Sequence, residues 1–256
     1  MKVQAIALNT FREAVRNKIL YSVVLFAIVL VLVSALFGAV TIGDQAKVIK
    51  DFGLFSLSFF GAIITIICGT TLLNKELKQK TIYNILSKPV ERWQFIVGKH
   101  LGLTFTVSAL VGLMGLALTA FLGLYEGRLD VLLVQGVMLT ILEVAVVAAV
   151  CIFFSALVVT TTLSGLFTLA TYIAGRSIAY FSFFQQGEHY EPTIAKVVTV
   201  FDYILPDLSL FNFSDSIVYG TPVPSEDFAF AAVYAAAYSV AALTLATLIF
   251  MKRELQ

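Results

Sequence analysis

The chain has 256 residues, of which 59% are apolar and 13% charged, with a mean hydropathy of +0.94. Globular domains carry roughly 25% charged residues, so a soluble domain of this size, a disordered chain and, with two cysteines, a disulfide scaffold are all excluded. A formal net charge of +1 leaves no chain-wide electrostatic footprint for nucleic acid, and the class that remains is an all-α, polytopic membrane protein.

Residues 3–18 open the chain. Val3, Ile6, Ala7, Phe11, Ala14 and Val15 recur at helical spacing opposite Gln4, Arg12, Glu13 and Arg16. This pattern predicts an amphipathic helix lying in the cytoplasmic interface; the alternative is a polar extension of the first span. A spanning helix needs about 20 apolar residues. Uncharged windows of that size lie at 19–43, 52–74, 100–125 and 228–251, and residues 131–175 carry one charge, Glu143. The 131–175 stretch is roughly two bilayer cores long, so it divides into two helices, with the break placed near Thr160–Gly165 where small polar residues cluster. Six spans follow, at 19–42, 52–73, 101–124, 131–156, 163–184 and 228–250. The first is too long, and begins too far into charged sequence, for a cleaved signal peptide. Barrel strands would need short alternating segments instead.

Between the second and third spans, residues 74–100 hold six basic and two acidic residues. Leu77, Ile82, Ile85 and Leu86 predict one helix there. Ser87-Lys88-Pro89 punctuates it, and a second helix restarts at Pro89 and runs through Trp93 and Phe95 into the third span. The charges can face lipid headgroups or a cytoplasmic partner. Residues 185–227 form an acidic segment on the other side. Its stripe Ile194, Val197, Val198, Phe201 and Leu205 predicts an amphipathic helix ended by Pro206. With the N-terminus inside, the cytoplasmic side carries 12 basic and 4 acidic residues, net +8, and the outer side 5 and 11, net −6. Lys and Arg collect on the cytoplasmic side, so both termini are expected there. Cys68 and Cys151 fall inside spans.

Two charges stand out. Glu143 lies mid-span, where an ionisable group is costly and marks a candidate substrate path, or else bonds to Ser, Thr or Gln of a neighbouring helix. Arg176, near the outer end of the fifth span, is expected to snorkel outward and anchor the helix. An intramembrane enzyme finds little support: Ser164-Gly165 follows Thr162 where a rhomboid-like protease needs Gly, and His100 and His189 lie on opposite sides of the membrane.

The stretch Glu76…Lys80-Thr81…Leu86-Ser87-Lys88-Pro89-Val90-Glu91-Arg92…Gly98-Lys99 resembles the cytoplasmic loop of type-two ABC transporter permeases, the exporter class, although Lys80 stands where that family has Gly before Thr81. Residues 10–18, with Arg12, Glu13 and Arg16, look like the family's N-terminal elbow, and 204–220 is similar to its outer segment before the last span. The resemblance runs in order along the whole chain, read as one permease domain over 1–256 with an elbow (1–18), a coupling loop (74–100) and an extracytoplasmic segment (185–227). It implies a dimer of permeases in a bacterial or archaeal cytoplasmic membrane, seated on cytoplasmic ABC ATPase subunits. This chain lacks a Gly-x-x-x-x-Gly-Lys-Ser/Thr phosphate loop, so ATP and Mg would belong to a separate ATPase and no cofactor to this chain. The resemblance places Arg12, Glu13, Arg16, Glu76, Lys80, Thr81, Ser87, Lys88, Pro89, Glu91 and Arg92 at the ATPase. It places the dimer contact on the first and fifth spans, where Ser164, Gly165, Thr168, Thr171 and Gly175 offer a small-residue face.

Overall fold

The computed structural model describes residues 2–15, 28, 32, 36, 44–78, 91–127, 130–158, 160–185 and 204–252. Among them are seven α-helices: α1 (Lys2–Val15), α2 (Gln45–Lys78), α3 (Arg92–Glu126), α4 (Leu132–Leu157), α5 (Thr161–Gln185), the short α6 (Ser214–Val218) and α7 (Ser225–Lys252), with a 3₁₀ turn at Leu208–Phe211 before α6. Most of the first span, Arg16, the loop from Lys80 through Val90 with Thr81, Ser87, Lys88 and Pro89, the side chain of Glu76 and the stripe from Ile194 to Phe201 lie outside the described residues.

Four described helices, within α2, α3, α4 and α7, are long and apolar enough to cross a membrane. At 1.5 Å per residue the 35-residue α3 is about 52 Å long, well beyond a hydrocarbon core of about 30 Å. The windows at 52–74, 100–125, 131–175 and 228–251 are carried as helices. Helix α4 stops at Leu157, Val158 is extended and α5 begins at Thr161, so the break falls in the gap between the expected spans 131–156 and 163–184, with Thr161–Gly165 already helical. The β-branched run Val158-Val159-Thr160 favours a break there, because such side chains crowd the preceding helical turn.

Helix α4 is the centre of the bundle and packs against α7, α2, α3 and α5. Its residues Val144 and Val146–Ile152 are all buried. The helices alternate in direction. Lys50 near the start of α2 meets Glu126 at the end of α3 and Asp130 ahead of α4. At the opposite end, Arg92 at the start of α3 meets the last turn of α7.

Helix α1 lies along the first half of α3. Gly98 faces Val3 and Ile6, Gly102 faces Ala7 and Thr10, and the Phe11 ring meets Phe105 edge-on at 5.1 Å. A side chain at Gly102 would fall 2.6 Å from the Ala7 carbonyl oxygen, so only glycine allows this approach. The apolar stripe read from the sequence is the face that packs. The contacts advance in the same sense on both helices, and Ile28 and Leu32 continue that progression beside Met114 and Leu118. The stripe expected for an interfacial helix here seats α1 along α3.

Candidate functional site

Two places in the fold gather the residues singled out above. The first is a polar centre inside the bundle. Glu143 on α4 is 1% exposed. Its Oε1 accepts from Arg176 Nη1 at 2.6 Å and its Oε2 from Ser58 Oγ at 2.6 Å. Arg176 Nη1 also donates to Ser58 Oγ at 2.7 Å, and Tyr172 Oη lies 3.3 Å from that hydroxyl. The centre thus joins α2, α4 and α5. Arg176 does not snorkel outward, as its position suggested. Its guanidinium turns inward because a buried carboxylate at the same depth offers a charge-assisted partner. Ser58 and Tyr172 were not visible in the sequence as members, since each is one of several hydroxyl residues in its window.

The segment ahead of α7 roofs this centre. Leu208, Phe211, Ile217 and Val223 are buried against the bundle. Asp207 Oδ1 accepts from Ser209 N at 3.0 Å, Asp207 N donates to Tyr234 Oη at 2.8 Å, and Val223 N donates to Gln135 Oε1 at 3.1 Å. The space left between the roof and the Glu143–Arg176 pair is about 10 Å³, at the limit for one water. In this conformation Glu143 is a satisfied buried acid with no room beside it for a substrate.

The roof also accounts for the small-residue face of α5. The Pro206 carbonyl oxygen would lie 2.3 Å from a Cβ at Gly175, and Gly165 faces Thr70 and Ile66 of α2. Ser164 and Thr168 are buried and return their hydroxyls to their own helix, on Thr161 O and Ser164 O. Ser164, Thr168 and Gly175 are thus buried within the chain, while Gly165 is half-buried and in ordinary contact with α2. Thr171 lies towards the outside, beside a face of large apolar side chains: Leu163, Leu166, Phe167 and Ile173.

The second place is the end of the bundle where the 79–90 loop departs. Arg12 is exposed on α1. Glu91 precedes α3, and its carboxylate accepts the indole N–H of Trp93. Arg92 does not face outward as a free docking charge. Its Nη1 donates to Phe250 O at 2.7 Å and Met251 O at 2.9 Å, and the guanidinium lies over the Phe250 ring. A cation there satisfies carbonyls that a helix end leaves open and complements the negative end of the helix dipole. Arg92 is thus a clasp between α3 and α7. At the other end of the bundle, Lys50 Nζ lies 2.6 Å from Asp130 and 3.4 Å from Glu126, beside a cavity of about 710 Å³.

Chemically, these sites bind and hold. Among the described residues no three His, Cys, Asp or Glu side chains come together as metal ligands, and Cys68 and Cys151 are buried free thiols.

Residues 4–255 match the family model described as ABC-2 family transporter protein. No curated protein matches the chain. Permeases of that family work in the lipid bilayer with an ABC ATPase. Given a match over nearly the whole length and four described helices apolar enough to cross a membrane, the chain belongs to the ABC-2 transporter family and is a multi-pass membrane permease subunit of an ABC transporter.

Proposed function

We propose that the chain is one permease of a dimeric ABC exporter, with six spans and both termini in the cytoplasm of a bacterium or archaeon. ATP-driven closure of separate ATPase subunits rocks the two copies between inward and outward access. The observation that carries this reading is the family match over residues 4–255. The inner end of the bundle supports it. The 79–90 loop leads straight into α3, α3 carries α1 in the Gly98/Gly102 seat, and Arg92 ties α3 to α7. A push on that loop would therefore move three helices together.

In this reading the ATPase contacts Arg12, Glu13 and Arg16 of the N-terminal segment, Glu76, and Lys80, Thr81, Ser87, Lys88, Pro89 and Glu91 of the loop, while Arg92 transmits the load. The dimer contact uses the outward face of α5 around Leu166, Phe167 and Thr171, together with the first span. The Glu143–Arg176 pair keeps α5 in register with α2 and α4 as the halves rock.

The test is recovery of ATPase with the affinity-tagged full chain purified from its native membranes. ATP hydrolysis should accompany the wild-type chain. Lys88→Glu should lower the recovered activity severalfold at unchanged membrane insertion. Equal recovery from both would remove the loop from the contact.

A further inference from the structure

A furrow runs along the outer face of the bundle between α3, α4 and α7, with a volume of about 670 Å³, within the roughly 300–1,000 Å³ typical of small-molecule sites. Short side chains line it: Ala235 and Ser239 are buried at its floor, Ala145 of α4 and Ala232 are half-buried, and Ala236 is exposed. Its large apolar side chains, Leu101 of α3 and Val240 and Leu248 of α7, are exposed. Trp93 and Met251 stand at the end nearest the 79–90 loop.

One side chain does not fit an apolar furrow. His100 lines it and is 7% exposed, and its Nδ1 is shut off from solvent with no hydrogen-bond partner among the described residues. Thr244 and Thr247 pose no such problem, because their hydroxyls donate to Val240 O and Leu243 O. A buried acceptor without a partner is tolerated more readily than a buried donor without one. The neutral imidazole therefore carries its proton on Nε2. What remains accessible of the ring belongs to the furrow, which thus presents one N–H donor in an otherwise apolar channel. His100 lies eight residues beyond Arg92, about 12 Å along α3. Trp93, 48% exposed at the furrow's end, has the amphipathic ring that settles at headgroup level.

We infer that the furrow binds an acyl-chain lipid of the bilayer, its tail on the alanine floor and an uncharged acceptor oxygen, such as an ester carbonyl, on the imidazole N–H of His100. A tail needs the unbranched, shallow track that four alanines and a serine provide. The orientation proposed above would place this lipid in the cytoplasmic leaflet; the site itself does not depend on it.

The test uses the full chain in nanodiscs of phosphatidylethanolamine and phosphatidylglycerol, with a trace of phosphatidylethanolamine bearing a diazirine in its acyl tail. After irradiation, labelled peptides are mapped by mass spectrometry. Residues 232–248 should be labelled well above the exposed apolar face of α3 at Leu113, Leu116 and Leu124. His100→Leu should lower furrow labelling about fivefold, the factor one neutral hydrogen bond carries. His100→Gln, which keeps a donor, should retain most of it. Ala236→Phe, which blocks the track, should abolish it while labelling at 113–124 stays constant. Furrow labelling equal to that of 113–124 and insensitive to His100→Leu would mean ordinary boundary lipid and overturn the proposal. So would no labelling in the furrow, the result expected if another part of the chain or a second copy covers it. Neither result bears on ATPase recovery, so this site and the transport reading fail separately.

Discussion

Replacing Glu143 by glutamine should destabilise the bundle, and the cost can be worked from the geometry. The carboxylate is almost fully buried and lies 2.6 Å from Arg176 Nη1. At an effective dielectric of about 20 the gross attraction at that distance is about 6 kcal/mol, but most of it offsets the desolvation of two ions. Deleting one partner of such a pair costs about 3–5 kcal/mol, because the other charge is left buried alone. Glutamine keeps one oxygen to accept from the guanidinium and turns an amide donor towards Ser58 Oγ, so Glu143→Gln belongs at the low end, about 3 kcal/mol. Arg176→Gln should cost less. An orphaned carboxyl can shed its charge by taking a proton, whereas a guanidinium stays charged. The double variant removes both charges, so it should be more stable than the sum of the single losses predicts, by about 2 kcal/mol. Reversible unfolding of the four proteins in one detergent measures this cycle. A Glu143→Gln protein as stable as wild type, or a coupling below about 0.5 kcal/mol, would refute the tie between α4 and α5.

Three further outcomes follow from close contacts. Gly102→Val should unseat α1, because its Cβ would fall 2.6 Å from both the Ala7 carbonyl oxygen and Thr10 Cβ; limited proteolysis should then cut within residues 2–15 faster than in wild type. Gly175→Ala puts a methyl 2.3 Å from the Pro206 carbonyl oxygen. Overpacking of that kind costs about 1–3 kcal/mol, and hydrogen exchange should accelerate across 205–211 while α7 is unchanged. Arg92→Gln removes the charged donor from Phe250 O and Met251 O, a loss of about 1–3 kcal/mol. Exchange in the last turn of α7 should rise, and ATPase recovery should fall less than for Lys88→Glu.

The helices were legible because charge-free length is a direct physical requirement of crossing hydrocarbon. The windows at 52–74, 100–125, 131–175 and 228–251 all reappear as helix. The Glu143–Arg176 pair was less legible, although a signal existed. Glu143 stands fourteen positions before the end of α4 and Arg176 fifteen after the start of α5, so a helical hairpin brings them to one depth. Counting charges loop by loop assigned Arg176 to the outside and hid that symmetry. The contacts of Arg92 were hidden for a related reason: the carbonyls that accept from it come from residues 158 and 159 positions later.

The small-residue stripe on α5 shows where sequence reasoning ends. Small side chains permit close approach, but they do not say what approaches. Here it is the Pro206 carbonyl and α2. The sequence alone determined the membrane class, the helical windows and the asymmetry of charge between the two ends, because each follows from the cost of placing a charge in hydrocarbon. Only the tertiary structure decided which helix faces meet, where α1 rests and what neutralises Glu143. Outside a membrane protein the solvent is as apolar as its core, so a helix apolar all round carries no stripe to show which side faces its neighbours.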